Sequence, residues 1–140
     1  MSGLRHHHVG VLVRDIEASS AHYGESLGYE VRTGIVHDPL QAAFVRFFRL
    51  PGALEYLELI APDGPDSHLR TALKDRPGIH HICYATADLE ASLERGRRNR
   101  TVILRPPMPA AAFRGLRVAW IMNRDALLVE LVEEPAHLLE

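Results

Sequence analysis

The chain repeats itself, and that repeat limits its fold more than any single motif does. Residues His7 to Ser19 can be set against His80 to Ser92, an offset of 73. Six of the thirteen positions are then identical: His7 with His80, His8 with His81, Asp15 with Asp88, Glu17 with Glu90, Ala18 with Ala91, and Ser19 with Ser92. Val9 with Ile82 and Ile16 with Leu89 are conservative pairs in the same window. The ends of the two copies also correspond: Tyr56-Leu57-Glu58-Leu59-Ile60 resembles Leu128-Val129-Glu130-Leu131-Val132 at an offset of 72. At 140 residues the chain fits one compact domain, 1–140. Its two modules span about 5–61 and 78–134, with 62–77 between them.

Each copy reads alike. His7 to Val13 is short, β-branched and apolar, as a strand should be. Asp15 stands where an N-cap belongs; Ile16, Ser20, Tyr23 and Leu27 recur at helical spacing, and Gly28 takes the usual C′ position. In the second copy Asp88 caps a helix with Leu89 and Leu93 as its apolar stripe, and its polar end is expected to fray near Gly96. Strand-like runs follow each helix: Tyr29–Val36, Ala43–Leu50 and Leu54–Ile60, then Thr101–Leu104, Leu116–Met122 and Leu127–Glu133. The Pro-Asp-Gly-Pro-Asp cluster at 62–66 marks a turn between the halves, and Ser67 to Lys74 reads as a short helix. The pattern is βαβββ twice.

Successive strand side chains point to opposite faces. Val9, Val11 and Val13 then share one face, with His8, Gly10 and Leu12 on the other. Leu57 and Leu59 leave Glu58 opposite, Ile82 and Tyr84 leave His81 opposite, and Val129 and Leu131 leave Glu130 opposite. Four metal-competent side chains thus project from the face the helices are expected to leave open. A twofold relation between the copies would gather them around one point. By the same alternation His7 falls on the helix side. A lone buried histidine or a lone strand glutamate is more often structural than a ligand. Both types recurring at matched offsets on matched faces favours a shared site. Two imidazoles and two carboxylates suit a borderline divalent ion such as Ni, Co, Zn, Mn or Fe.

These motifs resemble the vicinal oxygen chelate superfamily, which takes in glyoxalase I, methylmalonyl-CoA epimerase, extradiol dioxygenases and resistance proteins. The likeness runs from about Leu4 to Glu134 and is strongest to the epimerase branch. It is carried by His7-His8-Val9 with Asp15, by Leu57-Glu58-Leu59-Ile60-Ala61-Pro62 before Gly64-Pro65-Asp66-Ser67, by Gly78-Ile79-His80-His81-Ile82, and by Leu127-Leu128-Val129-Glu130-Leu131. The resemblance implies an α+β fold: two tandem βαβββ modules forming a curved mixed sheet around a central metal pocket. Its metal ligands would be His8, Glu58, His81 and Glu130. It further implies a metal-dependent isomerase or epimerase acting beside a carbonyl through a metal-bound enolate, with Glu130, or else Glu58, as the proton carrier. The substrate would be a small molecule, an acyl thioester or hydroxycarbonyl compound, and the assembly a homodimer. A glyoxalase-type lyase, or a resistance or binding protein for small molecules, is the alternative on the same fold. The epimerase pattern also has a non-ligand carboxylate on the third strand of the first half. Gln41 to Leu50 contains neither Asp nor Glu, only Gln41, Arg46 and Arg49 as polar members.

Composition removes other classes. A net charge of −2 with no long basic block argues against nucleic acid or an anionic membrane surface as partner. The single cysteine, Cys83, cannot form an intrachain disulfide, and the opening residues lack the apolar stretch of a signal peptide. The expected location is cytoplasmic. Four further features read two ways. Cys83 either lines the pocket or fills the core. Pro106 to Phe113 is either a loop over substrate or a packed turn. Arg114 and Arg117 either grip an anionic group or lie on the surface. His37-Asp38-Pro39 either borders the pocket or simply turns the chain.

Overall fold

The computed structural model describes residues 3–140, so Met1 and Ser2 of the expected domain lie outside the described residues. In the first half β1 (Leu4–Leu12) leads into α1 (Ile16–Leu27), followed by β2 (Glu30–Val31), β3 (Val36–Asp38), β4 (Ala43–Arg49) and β5 (Tyr56–Pro62). After α2 (Leu69–Asp75) come β6 (Gly78–Thr86), α3 (Leu89–Arg98), β7 (Val102–Pro109), β8 (Arg117–Met122) and β9 (Leu128–Glu133). Short 3₁₀ turns, Pro39–Gln41 and Ala111–Phe113, occupy equivalent places in the two halves.

Among the described residues nine strands form one sheet, ordered β2-β4-β5-β1-β6-β9-β8-β7, with β3 also pairing β4. β1 and β6 run antiparallel at its centre, and each is flanked by a parallel partner from its own half, β5 and β9. Exchanging the halves maps this order onto itself, which places a pseudo-twofold axis between β1 and β6. α1 and α3 begin in the same way. Asp15 accepts the amide of Ala18 at 3.1 Å and Asp88 that of Ala91 at 3.0 Å, so each satisfies a donor the first helical turn cannot. Gly28 then closes α1 with φ of 81°, a left-handed conformation that favours glycine.

Both helices cover one face. Tyr23 of α1 packs on Phe48, Leu57 and Leu59, and Leu89 and Leu93 of α3 pack on Ala119, Val129 and Leu131. The other face carries the largest cluster, including Val45, Phe47, Cys83, Phe113, Val118 and Val132, and the functional side chains rise from it.

Four local expectations change. The run Tyr29–Val36 is two short strands, because Thr33 is buried and its hydroxyl accepts the Phe47 amide at 3.0 Å, replacing ladder pairing there. The strand expected from Leu54 starts at Tyr56, leaving Leu54 82% exposed. α3 does not fray at Gly96: the Gly96 carbonyl accepts from the amides of Asn99 and Thr101, and Arg95, Arg97 and Arg98 favour its C-terminal dipole. The proline-rich stretch extends β7 to Pro109, since an edge strand tolerates missing amides, and Ala112 and Phe113 then turn into the core.

Candidate metal centre

Two rows of paired residues cross the sheet and meet at its axis. One runs Phe47–Glu58–Gly10–His81 and the other Trp120–Glu130–Cys83–His8. Each row sets a carboxylate and an imidazole on either side of a small residue, so side chains from different strands converge above Gly10 and Cys83. Nε2 of His8 lies 3.1 Å from Nε2 of His81, 3.4 Å from Oε1 of Glu58 and 3.3 Å from Oε1 of Glu130. Nε2 of His81 lies 3.1 Å and 3.5 Å from the same carboxylate oxygens. The four donor atoms all fall within 4.8 Å of one another.

The cluster is sealed. His8 and His81 are 0% exposed, Glu58 6% and Glu130 3%, and among the described residues Oε1 of each glutamate is buried with no hydrogen-bond partner. An orphaned buried carboxylate oxygen carries a desolvation penalty of roughly 1–3 kcal/mol or more for a charged group. Two of them facing two imidazole nitrogens at 3.1–3.5 Å call for positive charge between them, which protons or a metal ion can supply. Separations of that size match neighbouring donors around an ion with bonds of about 2.0–2.2 Å. The residues therefore fit a divalent metal.

The charges agree with this. Burial works against protonated His81, but the carboxylates of Glu130 and Glu58, 3.5 Å and 3.1 Å from its Nε2, prevail and raise it to about 9. His8 is raised in the same way. Burial opposes the Glu58 and Glu130 charges, and the two imidazoles nevertheless hold both carboxyls below the ordinary range. Without metal the site thus keeps protons between nitrogens and carboxylates, where a cation would replace them.

The structure brings His8, Glu58, His81 and Glu130 together, as the repeat predicts. His7 differs from expectation: it is 1% exposed on the same side as His8. A β-bulge between His6 and His8 makes His7 an extra residue, breaking the strict alternation, and a second irregularity between Gly10 and Val11 does the same for His80. Cys83 approaches His7 and His8, but burial and the nearby Glu130 and Glu58 charges push its thiol well above the ordinary range, so it fills space as a neutral group.

Aromatic and amide neighbours make the two sides unequal. Phe47 and Phe113 close over His8, with ring centroids 5.0 Å and 6.3 Å away, and both are buried. On the other side Trp120, the counterpart of Phe47, packs edge-on to His81 at 4.7 Å and donates its indole N–H to Gln41 at 2.8 Å. Gln41 in turn donates to the buried Asp38, which also accepts the amide of Ala111. Gln41, Trp120, His80, His68 and Arg105 line a cavity of about 200 Å³ there. A larger open groove, about 820 Å³, borders His7 and Tyr56 and is rimmed by Arg5, Arg49 and Arg114.

Trp120 is not among the residues that the sequence singles out, and Phe113 enters there only within the packed-turn reading of Pro106 to Phe113; their matched offsets to Phe47 and Gln41 are the signal that finds them. Asp38 turns the chain and also supports Gln41. Arg117 is held by Glu90 and Glu133 rather than free to grip a ligand, while Arg114 donates to the Leu138 carbonyl at the groove edge. Among the described residues no helix is long and apolar enough to cross a membrane.

Comparison with known proteins agrees with the geometry. The sequence model described as glyoxalase/bleomycin resistance protein/dioxygenase superfamily matches residues 7–133. An ethylmalonyl-CoA/methylmalonyl-CoA epimerase of Cereibacter sphaeroides is 35% identical over 132 residues, covering 91% of this chain and 96% of its own. A methylmalonyl-CoA epimerase in complex with methylmalonyl-CoA and NH4+ superposes with a TM-score of 0.83 at 25% identity, covering 99% and 100% of the two chains. A Streptomyces coelicolor methylmalonyl-CoA epimerase variant in complex with 2-nitronate-propionyl-CoA gives 0.81 at 25% identity, covering 94% and 97%.

Proposed function

The chain belongs to the glyoxalase/bleomycin resistance protein/dioxygenase superfamily, and from that premise we propose that it is a metal-dependent epimerase of an acyl-CoA thioester. The observation that carries this reading is the sealed set of four converging donors with two unpartnered carboxylate oxygens. A relative named as an ethylmalonyl-CoA/methylmalonyl-CoA epimerase, 35% identical along nearly its whole length, supports the substrate class. His8, Glu58, His81 and Glu130 would hold the metal, and modules 5–61 and 78–134 contribute two of these each.

When bound, the divalent ion would supply Lewis-acid stabilisation to the oxyanion that develops when a proton leaves the carbon beside a carbonyl. The remaining work falls to the chain. Glu130 takes the α-proton. Glu58, its counterpart across the pseudo-twofold axis, would deliver a proton drawn from solvent to the opposite face; β4 offers no further carboxylate for that duty. The acyl end sits in the cavity beside Trp120, Gln41 and His80, because Phe47 and Phe113 fill the corresponding space over His8. Trp120 and Leu128 give that cavity an apolar wall.

A chiral assay tests this. Single epimers of methylmalonyl-CoA and ethylmalonyl-CoA are incubated with metal-loaded protein and resolved afterwards. Interconversion of either supports the reading. Stable epimers across a panel of branched acyl-CoA thioesters, at full metal occupancy, would remove it.

A further inference from the structure

Each of the two histidines at the centre is preceded by another histidine, and the two pairs have nearly the same geometry. Nδ1 of His7 lies 2.8 Å from Nδ1 of His8, and Nδ1 of His80 lies 2.8 Å from Nδ1 of His81. Ring centroids are 5.1 Å apart in both pairs, with interplanar angles of 81° and 89°. Neighbouring residues on a regular strand point to opposite faces and could not meet this way. Both pairs exist because the β1–β6 ladder slips at His7 and again at His80, turning the extra residue onto the side of its neighbour.

From this duplicated contact we infer that His7 and His80 are positioning residues, each accepting the Nδ1–H of the following histidine so that its Nε2 presents a lone pair to the metal. The inference rests on the metal reading above. Its logic is one of proton counting. Two ring nitrogens at hydrogen-bond distance need one proton between them, one nitrogen donating and the other accepting. The Nε2 atoms of His8 and His81 face each other and the carboxylates. To coordinate there each must be unprotonated, which leaves the proton of the neutral ring on Nδ1. Only an acceptor at His7 and at His80 satisfies that proton, so those residues carry their own protons on Nε2.

The two supports are held differently. His7 is 1% exposed, stacked on Tyr56 at 5.1 Å and edge-on to Phe113 at 5.2 Å, so its ring is held between two aromatic neighbours. His80 is part-buried at the cavity and touches Trp120 edge-on at 6.0 Å. A removal at His80 therefore disturbs less packing and gives the cleaner test.

The experiment compares wild type, His80→Leu and His80→Asn, with His7→Leu and His7→Asn as a parallel pair. Asn places an amide oxygen close to where Nδ1 stood, while Leu keeps bulk and supplies no acceptor. Zn(II) affinity is read by competition with a chromophoric chelator, and metal-free melting checks folding. The expected result is an affinity loss of about 10–100-fold for His80→Leu and recovery to within a few-fold for His80→Asn. Ring ¹⁵N spectra of the Zn(II)-loaded wild type should show His8 and His81 protonated on Nδ1. Wild-type affinity in His80→Leu, equal losses in the Leu and Asn variants, or an Nε2–H form of His81 in the loaded protein would overturn the inference while leaving the metal centre standing. A wild type that takes up no metal overturns both. If the His7 variants fail to fold, the His80 pair and the wild-type spectra still decide.

Discussion

A methyl group at Gly10 should abolish the centre. A Cβ there would lie 2.1 Å from Cε1 of His81, 2.5 Å from Nδ1 and 2.6 Å from Nε2. Nonbonded carbons sit about 3.5–4.0 Å apart, so the ring would have to retreat by roughly 1.5 Å. It has no room, because Trp120 packs against it at 4.7 Å and His80 holds its Nδ1 at 2.8 Å. Metal–ligand distances tolerate only about 0.2 Å, so a displaced His81 could not coordinate. Gly10→Ala should lower stability by about 1–3 kcal/mol through overpacking. It should also weaken metal binding by about 100-fold or more, at least the upper end of what changes around a site produce. Chelator competition and thermal melts with and without metal read both effects. Cys83, the counterpart of Gly10 opposite His8, already carries a side chain, so Cys83→Ala is the control and should bind metal nearly as wild type does. A Gly10→Ala protein that folds and binds metal with wild-type affinity would refute the packing of His81 against β1.

Three other outcomes follow from the same geometry. Because the centre joins β1, β5, β6 and β9, metal at 100 times its dissociation constant should stabilise the native state by about 2.7 kcal/mol, read as a raised melting midpoint that a chelator reverses; an unchanged midpoint contradicts this. Glu130→Gln keeps an oxygen donor but removes the base, so proton exchange at the substrate α-carbon should fall by roughly 10²-fold or more with metal retained, and full exchange in the variant would take Glu130 out of the chemistry. Burial opposes protonated His81 but the carboxylates raise it to about 9. Its contribution to metal-free stability is therefore complete below about pH 6.5 and is lost as pH rises through 9. Metal must displace that proton, so affinity should climb with pH and level off near 9; isothermal titrations from pH 6 to 9.5 showing flat affinity would contradict it.

The repeat made much of this legible. Asp15 and Asp88 cap helices because a carboxylate before an apolar stripe has one favourable use, and Gly28 ends α1 because a left-handed residue is needed there. The four donors followed from alternation within β1, β5, β6 and β9, where one face is apolar in each strand. Alternation failed at His7, since a bulge is a property of the ladder between two strands and cannot be seen in either one. It also gave no hint that Pro106 to Pro109 would pair as an edge strand, which depends on having no neighbour to donate to. The inequality of the two sides lay beyond local reading as well. Phe113 reaches His8 and Gln41 reaches Trp120 only after the 3₁₀ turns carry each across the axis into the other half.

The most direct test follows α-hydrogen exchange by NMR in D₂O, using methylmalonyl-CoA and ethylmalonyl-CoA with protein that has been stripped of metal and then titrated back. The predicted result is exchange that is absent from the stripped protein and rises in proportion to occupancy up to one ion per chain. It should be lost again in His81→Ala. Exchange that proceeds unchanged in stripped protein, or that survives His81→Ala at full rate, would contradict chemistry at the centre formed by His8, Glu58, His81 and Glu130.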